Sequence, residues 1–160
     1  MPTNTYDVIQ SYTFASAASS VTLNTLPISY TNLRLVHVSP AVSSTAGRVI
    51  LRFNGDSDSN YHHLQWGASN TSTSSETSDN MTYAMIGYNS SSNNMQISEI
   101  HGYRSTSFNK SVYSHHGDTY PETGVMLSTW NNTAVITSIQ VLCLGTFPAG
   151  SNITLYGMVS

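Results

Sequence analysis

At 160 residues the chain is one domain's length, and its net charge of −3, with only five basic side chains, argues against a nucleic-acid partner, whose phosphates need dense positive charge. No run of about 20 apolar residues exists, so no membrane-crossing helix is expected, and the single cysteine, Cys143, excludes an intrachain disulfide. Charged residues make up 8% of the chain, while Ser, Thr and Asn number 27, 19 and 14. With 10 Tyr and 39% hydrophobic residues, this is not the composition of disorder, which combines high net charge with few aromatics. It reads as strands whose outer faces carry hydroxyls and amides.

The N-terminal stretch Met1 to Thr5 lacks the basic-then-apolar order of a signal peptide and reads as a short arm before a domain expected over residues 6–160. Tyr6 to Phe14 has strand character, with Val8, Gln10, Tyr12 and Phe14 on one side. Ala15 to Ser20 is too short and serine-rich for a core helix. Val21 and Leu23 alternate with Thr22 and Asn24. From Asn32 to Val38, Leu33, Leu35 and His37 share a face, and Val49, Leu51 and Phe53 do so in the next run. Asn54-Gly55 is a hairpin-turn signal. Further strand-like runs are His62 to Trp66, Met95 to His101, Ser111 to His116, Val125 to Trp130, Ala134 to Leu144 and Ile153 to Val159. Ten short β-rich runs punctuated by Gly, Pro, Asn and Ser predict an all-β, antiparallel, jelly-roll-like β-sandwich. Between them Gly67 to Asn80 offers little to bury and is expected to be a long exposed loop, either a binding loop or a solvated connector, with Asn89 to Asn94 a shorter one.

Candidate chemistry is sparse. Asp56-Ser57-Asp58-Ser59-Asn60 opens like a calcium loop but has Tyr61 where the sixth-position glycine belongs and Gly67 where the bidentate glutamate belongs. A turn is the expectation. The histidine neighbours His62-His63 and His115-His116 point to opposite faces of a strand and do not share one metal. His101 lies two residues beyond Glu99 on the same strand face, which allows an acid/base pair, but a cross-strand or solvent-facing pair is the expectation. Cys143 sits in the apolar run Ile139 to Leu144 as a small buried hydrophobe, suited to folding in a reducing cytoplasm. No nucleophile elbow, phosphate loop or zinc-protease helix motif occurs. The expectation is therefore no catalytic residue, no metal and no cofactor. Trp66, Trp130 and the tyrosines are core or cross-strand partners in one reading and interface or sugar-binding aromatics in the other.

A run of elements nevertheless has a recognisable order. Tyr6-Asp7-Val8-Ile9 leads to Ser20-Val21-Thr22-Leu23, Leu26-Pro27 and Tyr30 to Val36. Leu51 to Asp56 and Asn60-Tyr61 come next. Ala134 to Leu142, Phe147 to Ser151 and Ile153 to Gly157 close the chain. This order resembles a group of small tailed-bacteriophage virion proteins, over nearly the whole chain except Gly67 to Tyr120. The resemblance implies a jelly-roll domain on the outer surface of a virion, made in the host cytoplasm. One form is a capsid decoration (cement) protein whose homotrimers bind the major capsid protein and stabilise the lattice, with Met1, Pro2, Thr3, Asn4, Thr5 and Tyr6 as a possible capsid-contact arm. The other is a tail- or neck-fibre component with a receptor- or glycan-binding tip. Neither involves nucleic acid or a membrane.

Overall fold

The computed structural model describes residues 5–41, 47–69, 72–118 and 122–158. Among the described residues there are twelve strands: β1 (Tyr6–Thr13), β2 (Ala18–Asn24), β3 (Asn32–Ser39), β4 (Gly47–Phe53), β5 (Tyr61–Ser69), β6 (Ser72–Met81), β7 (Ala84–Asn89), β8 (Asn94–His101), β9 (Lys110–Asp118), β10 (Glu122–Trp130), β11 (Ser138–Phe147) and β12 (Asn152–Met158). They form two antiparallel sheets, one of eight strands in the order β1-β12-β3-β8-β9-β10-β5-β6 and one of four in the order β2-β11-β4-β7. The jelly-roll-like sandwich expected from period-two alternation is the architecture observed, and no helix occurs among the described residues.

The first four strands alternate between the two sheets. The last two then insert between them: β12 pairs with β1 and β3, and β11 pairs with β2 and β4. Each sheet's N-terminal half is therefore closed by a C-terminal strand, a non-local pairing of the sort that slows folding. The core is aliphatic and aromatic beneath these strands, where Leu33, Leu35, Ile153 and Leu155 face Leu23, Val49, Leu51, Val141 and Phe147.

Three expectations need correcting. Gly67 to Asn80 is not a long loop: apart from residues 70–71, which lie outside the described residues, it belongs to the end of β5 and most of β6, paired from Tyr61↔Met81 to Ser69↔Ser72. An edge strand with both faces largely solvated needs no apolar alternation, so Ser and Thr serve there and the sequence shows no strand signal. The strand β7 is also absent from the expected runs; Ala84, Met85, Ile86 and Gly87 are all buried, leaving no alternation to detect. Finally, Asn54 and Gly55 do adopt φ of 55° and 72°, as the turn signal requires. Yet they join strands of opposite sheets and do not form a hairpin. Asn54 Oδ1 instead accepts the backbone N–H groups of Thr137 and Ser138, which ties the turn to the segment before β11.

Candidate binding face

Strand alternation sends one set of side chains from the eight-stranded sheet into the sandwich and the other to solvent. Register fixes the outer set in rows. One row runs Val36, Ile97, His115, Val125, Trp66, and the next runs Tyr156, Arg34, Glu99, Tyr113, Leu127, Leu64. Above them stand Val38 and Met95, directly opposite one another. Of the large hydrophobic side chains that remain exposed, Val8, Val38, Trp66, Met95, Tyr113 and Leu127 all lie on this one face. Trp66 is 52% and Tyr113 44% exposed, so neither is the core residue that one sequence reading allowed.

The charges on the same face are tied up within it. Arg34 donates to Glu99 on the neighbouring strand, and its guanidinium carbon stands 4.5 Å from the Tyr6 ring centre. His101 Nε2 is 3.8 Å from the other Glu99 oxygen, which joins the two residues that sequence spacing had placed on one side. At the far edge His62 Nδ1 lies 3.0 Å from Asp79 Oδ1. The face is thus a broad apolar and aromatic surface whose ionic groups compensate one another.

The arm residues divide. Met1 to Asn4 lie outside the described residues, whereas Thr5 is exposed and Tyr6 begins β1, paired with Met158 and set edge-on to Tyr156 at 6.5 Å. Tyr6 therefore belongs to the sheet face and not to a free arm.

The remaining candidates are structural. Asp56 Oδ2 accepts Trp130 Nε1 at 2.7 Å and Asn60 Nδ2 at 2.9 Å, and Oδ1 accepts the Asp58 N–H at 2.9 Å. Partial burial alone would raise this carboxyl, but the donors hold it below its ordinary value. These contacts cap an aromatic cluster in which Trp130 packs on Phe53 and Tyr61 at centroid distances of 5.5 and 6.2 Å. The turn signal was legible in sequence; the tryptophan partner 74 residues away was not. His63 and His116 point inward while His62 and His115 point outward, as strand geometry requires. Cys143 is buried, and burial pushes its thiol up. Among the described residues no three His, Cys, Asp or Glu side chains gather as metal ligands.

No protein-family model matches the chain, and no curated protein matches it in sequence. Solved structures of similar shape include a tetrameric galectin from the ball sponge Cinachyrella sp., at 11% identity and a TM-score of 0.38, covering 88% of this chain and 99% of that one. Another is the Caenorhabditis elegans galectin LEC-6, at 9% identity and a TM-score of 0.40, covering 94% and 96%. A mutant alginate lyase Aly36B in complex with an alginate tetrasaccharide aligns at 10% identity and a TM-score of 0.38, covering 93% and 80%.

Proposed function

We propose that the chain is a bacteriophage virion structural protein that decorates the outside of a capsid, docking on the major capsid protein through the outer face of its eight-stranded sheet. The observation that carries this reading is the gathering of six exposed large hydrophobic side chains on one sheet face whose charges are internally paired. Contiguous exposed apolar surface is the ordinary mark of a protein–protein interface. The resemblance to tailed-phage virion proteins supplies the partner class. A homotrimer would present three copies of this face to neighbouring capsid subunits, so weak individual contacts would combine through effective concentration. Binding only the assembled lattice would also stabilise it by mass action.

On this reading the protein acts by non-covalent binding and carries out no catalysis. A tail- or neck-fibre component, the other assignment, differs in stoichiometry. Densitometry of purified virions is expected to give one copy per few capsid subunits, and a handful of copies per particle would overturn the proposal. Purified protein is expected to bind emptied capsids stripped of it and to raise their disruption temperature. Failure to bind them would equally defeat the assignment.

A further inference from the structure

The fold accounts for four of the five cationic side chains. Arg34 and Arg48 are paired with Glu99 and Glu76, and Arg52 donates Nε to the Thr82 carbonyl at 3.2 Å. Lys110 is buried, with Nζ 2.7 and 3.1 Å from the carbonyl oxygens of Ser105 and Phe108. The fifth, Arg104, is exposed and makes no hydrogen bond or ion pair among the described residues. It lines a cavity of about 360 Å³ together with Ser29, Tyr30, Thr31, Gly102, Ser105 and Phe108.

Hydrogen bonds hold part of the wall of this cavity. Lys110 lies beneath the connection between β8 and β9 and draws its carbonyls together, which is a costly use of a charge with no carboxylate in contact among the described residues. At the start of the connection Gly102 takes φ of +63° and donates its N–H to Asn32 Oδ1 at 2.9 Å. Ser105 donates its own N–H to the Gly102 carbonyl at 2.8 Å. The Phe108 ring stands 3.3 Å from where a Cβ on Gly102 would be, held over the glycine while remaining 64% exposed. Across the cavity the Tyr30 hydroxyl donates to Asp7 Oδ2 at 3.2 Å, which pins that ring as well. Core packing explains none of this display of an aromatic ring and a guanidinium to solvent.

We propose that the cavity binds a carboxylate-bearing saccharide, a pyranose ring stacked on Phe108 with its acid group on Arg104. The C–H face of a sugar suits an exposed aromatic ring, and the hydroxyls of Ser29, Thr31 and Ser105 offer partners of the kind a sugar needs. A planar guanidinium matches a carboxylate through two parallel hydrogen bonds. One cation beside an aromatic ring fits a singly charged acid better than a phosphate, which gathers several donors. This site lies at the end of the sandwich built by the β2–β3 and β8–β9 connections, so it does not depend on the docking role of the sheet face.

Titration of the full chain, followed by ligand-observed NMR and calorimetry, tests the proposal with D-glucuronate, N-acetylneuraminate, D-glucose, acetate and inorganic phosphate as probes. At least one of the two sugar acids is expected to bind with a dissociation constant of about 1 mM, roughly ten times tighter or more than glucose, acetate or phosphate. Arg104→Gln and Phe108→Ala, both at exposed positions, are each expected to weaken that sugar acid about tenfold or more while leaving the melting temperature unchanged. Equal binding of glucose, or of acetate or phosphate alone, would overturn the assignment. So would undiminished binding by Arg104→Gln, or no binding of either sugar acid.

Discussion

The hydroxyl of Ser128, on the inner face of β10, donates to the backbone carbonyl of Met85 in β7 at 2.9 Å, across the gap between the two sheets. β7 is the last strand of the four-stranded sheet, so among the described residues one of its backbone edges has no strand beside it. Gln96 on β8 meets the same need further along by donating Nε2 to the Tyr88 carbonyl. Side chains of the facing sheet thus finish an edge that would otherwise bury unsatisfied backbone groups. Ser128→Ala deprives the Met85 carbonyl of this donor, and the expected loss is about 1–3 kcal/mol of unfolding free energy. Urea denaturation reads it directly, and an unchanged midpoint would show that this bond contributes nothing.

Acid should weaken the fold through His37. Its ring is fully buried against Phe147, and burial lowers its pKa to about 4, with only Gln96 Oε1 at 3.3 Å favouring the charged form. The pKa is lower in the folded than in the unfolded state, so the unfolded chain takes up the proton first. Stability is therefore intact above about pH 6.5 and declines as pH falls towards 4, by about 3 kcal/mol at most. His63 acts in the same direction. Burial lowers it too, opposed by Glu76 at 3.9 Å and reinforced by Arg48. His37→Gln is expected to flatten the profile between pH 6.5 and 4. A stability curve with the same slope in the variant would remove His37 as its source.

How far these features could be read in advance depends on what each strand faces. Strands with one dry and one wet side, such as Asn32–Ser39, announce themselves by alternation, and their inward residues are those the pattern named. β6 and β7 fail in opposite ways, since one is wet on both faces and the other dry on both. The candidate face is harder still. Val36, Ile97, His115, Val125 and Trp66 come from five strands, and only register makes them a row. Arg34 and Glu99 sit 65 positions apart, so the cancelling of charge was invisible in a list of charged residues. Arg104 and Phe108 carry no periodic signal, because their display depends on Lys110 and on the left-handed backbone of Gly102.

Trp130→Phe should keep the aromatic packing on Phe53 and Tyr61 but delete the 2.7 Å bond to Asp56. A hydrogen bond to a charged acceptor contributes roughly 1.5–3 kcal/mol, and the variant is expected to lose about that much. The same geometry predicts indifference to calcium. Both Asp56 oxygens already accept protein donors, so millimolar calcium or a chelator should leave the melting temperature where it is. A rise of several degrees with calcium would mean that the turn opens to hold the ion.

The proposed docking through the sheet face makes a prediction separable from folding. Leu127 is 43% exposed between Tyr113 and Leu64, with Val125 two residues before it on β10. Leu127→Lys sets an unpaired charge at the centre of the apolar surface, where burial against a partner would strip its water. The isolated protein should melt normally, because the side chain already meets solvent. Binding to capsids should fall about 10–100-fold, in the range of an interface hot spot. Wild-type binding should change little between low and high salt, since the ionic groups of this face are matched within it and salt screens only exposed charge. Steep salt dependence, or full binding by Leu127→Lys, would mean that another surface makes the contact.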